Sequence, residues 1–383
     1  MSELTMKLYI RSLIIFMILQ FVGCGGGGGG GDDPNDPNPP TDNLNGNMTG
    51  RIFLGNDGVG SWILDLTTGH YSKIPGVQWE DNPNYHHSAE FSAYPSYDGQ
   101  EFLETIEECE HLGGFDYSDC LVIHDSSGNI VSTLDVPHET YGPAKLSRDG
   151  MFIAVPIRDP SSALNPRRLT IYTRDGAYVD ASPPDHDVTP KGFDWLPGNQ
   201  LIYAADRGLY VSNQASAQGQ LWATFSEEEG QPDHLAVSPD GDRLALTLKT
   251  AVNQRAIHGT VWIVNLDASG YVRLATTPDT DDTNTTSDDP VINLPMWSPD
   301  GKWIAVVEGA ISVVSPPSGS RGYGSKLYIV PSDSENVILT LDGQTEAIPV
   351  YSYFDEIATP GSNAELGTKF TTFVRGGGFA WID

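Results

Sequence analysis

The feature that most restricts the fold is a recurring segment that ends one apolar strand, turns tightly and starts another. Trp297-Ser298-Pro299-Asp300-Gly301-Lys302-Trp303-Ile304-Ala305 is repeated closely at Val237-Ser238-Pro239-Asp240-Gly241-Asp242-Arg243-Leu244-Ala245. A third copy, with Arg in place of Pro, runs Leu146-Ser147-Arg148-Asp149-Gly150-Met151-Phe152-Ile153-Ala154. Asp-Gly between apolar runs is hairpin chemistry, because glycine accepts the positive φ that such turns need. Recurrence at this spacing means a series of small sheets rather than one continuous core.

Anchoring the chain on these turns gives a register. The column before the turn reads Pro95, Leu146, Trp195, Val237, Trp297 and Trp381, and two further turns fall at Tyr97-Asp98-Gly99 and Pro197-Gly198-Asn199. The sixth copy is split: residues 377–383 match the first strand of residues 191–197, and residues 50–54 supply the missing second strand. A second strand pair follows each hairpin, centred on Ile63 and Tyr71, Val122 and Val131, Ile171 and Tyr178, Tyr210 and Trp222, Trp262 and Val272, and Tyr328 and Ile338; the last pair spans residues 327–330 and 337–340. Six four-stranded antiparallel units predict an all-β, six-bladed β-propeller over residues 48–383. Its ring closes when the C-terminal strand pairs with the N-terminal blade, so no sheet is left with an open face.

The Trp-Ser-Pro-Asp-Gly-Lys-x-Ile-Ala segment at Trp297 to Ala305, and its copy at Ser238 to Ala245, resemble the TolB-type (WD40-like) propeller repeat, and the resemblance covers nearly everything after residue 48. It implies the fold and says little of function, since such blades serve scaffolds, peptidase gates and small-molecule enzymes alike. The extra N-terminal domain of TolB has no counterpart in the sequence before the blades, so TolB's own role does not carry over.

The first residues read as an export signal. Lys7 and Arg11 precede the apolar run Leu13 to Leu19, which is shorter than a membrane span needs. Phe21-Val22-Gly23-Cys24 resembles the lipobox of bacterial lipoproteins, which implies cleavage after residue 23, lipidation of Cys24 and, with Gly25 following, an outer-membrane address. An uncleaved anchor is the alternative. Residues 24–47 continue as polyglycine and then an Asp/Pro/Asn stretch, a tether by composition. Export leaves Cys109 and Cys120 as an even pair in an oxidising compartment, expected to form a disulfide across a polar insert, with two free thiols as the other reading.

Lysine and arginine number 21 against 51 aspartate and glutamate, a formal charge of −30, which repels nucleic acid and anionic lipid surfaces. Membrane attachment is therefore expected through the lipid anchor only, the chain is expected to be monomeric, and the partner to be an envelope protein, peptide or glycan.

With the strands of each blade lettered A to D from the axis outward, A–B and C–D turns leave on one face and B–C and D–A connections on the other. The first face reads as trim. The second carries the long segments, about 76–90, 108–119, 158–167, 183–191, 249–258, 277–293, 309–325 and 344–376, and long loops on one side of a rigid scaffold are where binding is placed. Residues just ahead of the A strands should ring the channel mouth there: His87 with Glu90, Tyr141, Lys191, Asp233 with His234, Asn293 and Arg375. A ring of both charge signs with imidazoles suits a polar ligand, although propeller channels are polar in any case. The run Asp279, Asp281, Asp282, Asp288 and Asp289 offers oxygen ligands at spacings suited to calcium, without the glycine and terminal glutamate of an EF-hand loop; a solvated acidic loop reads the same way. His86, His87 and Glu90 lack a second metal-ligand pair at recognisable spacing, and no Gly-x-Ser-x-Gly elbow is present. The reading is a tethered binding scaffold; the rival is a hydrolase or lyase acting on a small polar or glycan substrate at the channel mouth, with or without a divalent metal.

Overall fold

Six antiparallel sheets follow one another along the chain, as the turn register requires. The computed structural model describes residues 48–56, 60–74, 92–106, 119–158, 167–251, 257–276, 292–308, 326–339, 345–353, 369–371 and 379–382. Among these residues there is no helix. Blade 1 holds β1 (Arg51–Asn56), β2 (Gly60–Asp65) and β3 (Tyr71–Lys73), and blade 2 holds β4 (Ser92–Pro95), β5 (Glu101–Ile106), β6 (Asp119–Asp125) and β7 (Ile130–Val136). Blade 3 is β8 (Lys145–Leu146), β9 (Phe152–Arg158), β10 (Arg167–Thr173) and β11 (Tyr178–Ala181). Blade 4 is β12 (Val188–Leu196), β13 (Gln200–Ala205), β14 (Gly208–Ser212) and β15 (Gly219–Thr224). Blade 5 is β16 (Gln231–Val237), β17 (Arg243–Ala251), β18 (Ile257–Asn265) and β19 (Tyr271–Thr276). Blade 6 begins with β20 (Ile292–Trp297), β21 (Trp303–Glu308) and β22 (Lys326–Pro331). The remaining strands are β23 (Val337–Ile338), β24 (Ile348–Pro349), β25 (Tyr351–Tyr353), β26 (Lys369–Thr371) and β27 (Phe379–Ile382).

β27 returns to blade 1 and pairs antiparallel with β1, Arg51 opposite Ile382 and Leu54 opposite Phe379, which completes that sheet in the order β27-β1-β2-β3. The innermost strands touch in the sequence β27, β4, β8 and then β12, β16, β20 and β27 again, with β10 against β12 bridging blades 3 and 4, so the sheets form a closed six-bladed β-propeller.

One predicted strand is misplaced. Residues 337–340 were expected as the outer strand of blade 6, but β23 instead lies parallel to β19 of blade 5, Ala275 opposite Val337 and Thr276 opposite Ile338. The outer strand of blade 6 is β24, paired with β22 through Tyr328 and Pro349. Val337 and Leu339 are apolar and buried in the blade 5–blade 6 interface, which rewards that placement. The turn face is therefore not uniformly trim: the blade 6 C–D connection, residues 332–347, is long and detours through blade 5. The segment 344–376, taken as one loop, contains β24 and the β25–β26 pair.

The core is divided into six interfaces rather than gathered in one place. Alternation along β1 sends Ile52 into the cluster shared with blade 6 and Phe53 into the cluster shared with blade 2, where it stacks on Phe102 at 5.2 Å. Four further clusters repeat this between blades 2–3, 3–4, 4–5 and 5–6. The tryptophan column bolts neighbours together: Trp195 Nε1 donates to Lys145 O at 3.1 Å, and Trp297 Nε1 to Ala236 O at 2.9 Å, each reaching the inner strand of the preceding blade.

The recurrent turn has one hydrogen-bond pattern. Ser298 Oγ donates to Asp300 Oδ1 at 2.7 Å and accepts from Trp303 N at 2.9 Å, while Gly301 N closes on Ser298 O with φ +69° at the glycine. Ser96, Ser147 and Ser238 repeat it. This explains why Ser, Asp and Gly recur, since each satisfies the turn's own backbone.

Candidate ligand site at the channel mouth

Immediately before the turn column, each inner strand presents one residue at the same level: Tyr94, Lys145, Asp194, Ala236, Met296 and Ala380. Blades 2, 3 and 4 supply the polar members, and these meet. Lys145 Nζ donates to Phe193 O at 2.9 Å, lies 3.5 Å from Asp194 Oδ1 and sits 4.6 Å from the centre of the Tyr94 ring. Asp194 accepts from Tyr97 Oη at 2.9 Å, from its neighbour Trp195 N at 3.0 Å and from Val237 N of blade 5 at 2.8 Å. Both charged side chains are buried. Burial pulls the Lys145 ammonium down, but Asp194 and Tyr94 outweigh it and raise it above the ordinary lysine value.

On the turn face, Arg148, the residue that replaces proline in its turn, donates to Trp195 O, Ser238 O and Pro239 O at 3.2, 2.8 and 2.7 Å. Its guanidinium lies 4.8 Å from the centre of the Tyr97 ring. Arg148 passes from blade 3 to blade 5 and Tyr97 from blade 2 to blade 4. Each skips a blade, a reach that only the inner ends of the blades permit.

At the opposite end three inner strands are irregular. In β16, Asp233 and His234 stand between the pairs Pro232–Leu248 and Leu235–Leu246, two residues facing one. In β20, Leu294 and Pro295 do the same between Asn293–Val307 and Met296–Ala305, with Leu294 at φ +54°. In β12 the surplus is larger, residues 189–192 lying between Val188–Ala205 and Phe193–Tyr203. Bulges re-aim side chains at the rims of sheets. Two of them abut: a Cβ on Gly192 would stand 2.7 Å from Asp233 O, so only glycine lets blades 4 and 5 approach so closely.

The β16 bulge gathers charge. His234 Nδ1 and Lys249 Nζ each lie 2.5 Å from Asp233 Oδ2. Neither contact has hydrogen-bond geometry, so both His234 nitrogens and Asp233 Oδ2 are buried without a hydrogen-bond partner. The His234 side chain is 7% exposed, whereas Asp233 and Lys249 keep 20% and 28%, so solvent reaches the cluster above the imidazole. Burial works to raise Asp233, but the neighbouring His234 and then the Lys249 ammonium hold it well below the usual carboxylate range. Burial depresses His234 against the pull of Asp233, aided by Lys249 and Lys191, so the imidazole is neutral near pH 7. Arg167 and Tyr141 extend the cluster. Arg167 pairs with Asp187 at 2.7 Å and feels the charge of Asp233, and the Tyr141 ring lies 5.5 Å from the Arg167 guanidinium and 5.2 Å from that of Arg158.

Of the expected mouth residues, Tyr141, Lys191, Asp233 and His234 thus fall at one end of the inner strands around blades 3 to 5. Asn293 starts the β20 bulge in blade 6. His87, Glu90 and Arg375, the run from Asp279 to Asp289, Cys24 and Cys109 lie outside the described residues, while Cys120 is buried on β6 opposite Ile106. Among the described residues no group of three or more His, Cys, Asp or Glu is placed to hold a metal ion. His124, unassigned by the sequence, is buried against Glu104 at 2.9 Å, and His186 contacts Tyr203 Oη at 3.0 Å. Lys249, Arg158, Arg167 and the Lys145–Asp194 tie were missed. The tie had a signal, charged residues one position before the apolar column in Ala144-Lys145-Leu146 and Phe193-Asp194-Trp195.

No protein-family profile and no curated protein matches the sequence. Solved structures do match the fold. A protein described as TolB from Agrobacterium tumefaciens is 16% identical with a TM-score of 0.45, over 80% of this chain and 99% of that one. The GH74 enzyme of Niastella koreensis is 10% identical with a TM-score of 0.48, over 76% of this chain and 43% of that one. TolB from Acinetobacter baumannii is 14% identical with a TM-score of 0.50, over 87% of this chain and 66% of that one. Likeness at these identities shows the fold alone: the chain is a six-bladed β-propeller, and its solved structural neighbours include TolB-like propellers.

Proposed function

We propose that this protein is an outer-membrane-tethered propeller scaffold, lipidated at Cys24, that binds an envelope protein, peptide or glycan through its long-connection face and channel mouth. The observation that carries the reading is the asymmetry of the ring's two ends. At the turn end, Arg148 and Tyr97 lace blades 2 to 5 together through backbone carbonyls and Asp194. At the other end, bulged strands present Lys191, Asp233 and His234, and the chain between β21 and β22, residues 309–325, is long. A rigid ring with one laced end and one elaborated end is suited to binding on the latter. TolB-like propellers among the structural neighbours agree with a scaffold.

The test is capture of a cross-linked partner from envelope fractions by the protein, by a variant with residues 309–325 replaced by a short Gly/Ser linker, and by an Arg148→Ala variant. Capture lost in the first variant and kept in the second is the expected outcome; the reverse pattern would place binding on the turn face. For the anchor, Cys24→Ser should release the protein from the membrane fraction. The rival reading, a hydrolase or lyase, draws on the Asp233–His234 pair, since a neutral imidazole beside a carboxylate has the form of an oriented base. It would gain if His234→Gln abolished turnover of a glycan without altering binding.

A further inference from the structure

The β16 bulge crowds an ammonium and an imidazole onto one carboxylate oxygen. Lys249 Nζ and His234 Nδ1 crowd on one oxygen, Asp233 Oδ2, at 2.5 Å, in an arrangement that leaves the imidazole with no hydrogen bond at either nitrogen. Leaving a buried polar side chain in that condition is costly, and such groups in folded proteins ordinarily have a partner. Lys191 of the adjoining blade bears on the same imidazole, and Arg167 bears on Asp233. The surroundings are thus cation-rich within a chain whose formal charge is −30. What the imidazole lacks is a partner at Nε2. A hydroxyl would accept from one donor, whereas a carboxylate offers two oxygens and a charge that two ammonium groups reward.

We propose that Asp233, His234, Lys249 and Lys191 form a binding site for the carboxylate of a small acid entering from the channel mouth. This rests on the reading of that mouth as the binding end, and it names the chemistry the mouth recognises. The ligand's carboxylate accepts from Lys249 and from His234, which becomes doubly protonated and donates from Nε2 while Asp233 takes Nδ1–H. The groups that face the imidazole are Asp233 on β16, Lys249 on β17 and Lys191 on β12. The two lysines disfavour the imidazolium in the free protein, and the incoming anion offsets them. Binding therefore takes up one proton, and affinity rises as pH falls, by up to tenfold per unit where uptake is complete.

The test is titration of the purified protein with acetate, galacturonate and galactose at pH 6.0 and 7.5, read by calorimetry and by imidazole nitrogen resonances, with His234 assigned from His234→Gln. The proposal expects saturable binding of galacturonate and none of galactose, its neutral counterpart, together with tighter binding at pH 6.0 and a shift of the His234 resonances toward imidazolium. Equal affinity for acetate and galacturonate identifies a small free acid as the ligand class; tenfold tighter binding of galacturonate identifies an acidic sugar. Lys249→Met and His234→Gln should each weaken binding at least tenfold while a thermal melt confirms folding. Should either fail to fold, wild-type discrimination between galacturonate and galactose still decides. No binding of either acid, equal binding of galactose, or silent His234 resonances would overturn the proposal. Partner capture by the long-connection face can survive that failure, and loss of capture with acid binding intact would overturn the other reading alone.

Discussion

Replacing Lys145 by methionine isolates the buried tie at the ring's axis. At 3.5 Å the pair with Asp194 has a gross attraction of about 5 kcal/mol at an effective dielectric of about 20. Desolvation of the ammonium offsets much of that, and methionine removes the penalty along with the attraction. What remains is a buried carboxylate deprived of its counter-charge, a change that costs about 3–5 kcal/mol. Asp194 keeps three donors, Tyr97 Oη, Trp195 N and Val237 N, which places the cost near the lower end, about 3 kcal/mol. Equilibrium denaturant unfolding followed by tryptophan fluorescence should show that loss at an unchanged slope. Asp194→Asn strands the ammonium instead, and the double variant should recover about 1–2 kcal/mol relative to the sum of the singles. A Lys145→Met protein within about 0.5 kcal/mol of wild type, or strictly additive singles, would refute the reasoning.

Three further outcomes are open to measurement. Because folding makes His234 harder to protonate, the unfolded chain takes up that proton first once pH falls below about 6.5, so stability is full above that pH and declines below it; His234→Gln should flatten the decline measured between pH 7.5 and 5.5. Asp233, whose carboxyl is held low, adds a separate loss that begins only as pH falls below about 4. Gly192→Ala forces a methyl against Asp233 O, 2.7 Å from the ideal Cβ, and should cost about 1–3 kcal/mol in the same unfolding assay. Reduction should add two hydrogens to the mass through Cys109 and Cys120, and the Cys109→Ser, Cys120→Ser protein should lose about 2–3 kcal/mol of stability.

The sequence disclosed the blades because their turns are local: Ser, Asp and Gly at fixed offsets satisfy one another's hydrogen bonds, so the pattern survives without reference to the rest of the ring. Ring closure was legible for the same reason, the half-repeat at the C-terminus having only one place to find its partner. The outer strand of blade 6 was not, because residues 337–340 and 348–349 are both short apolar runs and the choice between them was settled by burial against blade 5. The bulges were invisible too. Nothing in Pro232-Asp233-His234-Leu235 announces that two residues will face one, since that follows from how β17 aligns. Tyr141, Lys191, Asp233 and His234 could be named by counting back from the turn. Lys249, Arg158 and Arg167 sit at strand ends in B and C positions, where counting along the A strands never reaches.

The closing strand also determines how the ring bears load. β1 is clasped on both edges, by six residue pairs to β2 and four to β27, and the chain that precedes it leaves from its Arg51 end. Tension arriving from the amino-terminal side is directed along β1, where both ladders resist it in shear together rather than opening one bond at a time. Releasing blade 1 by a pull on β1 therefore requires both clasps to fail at once.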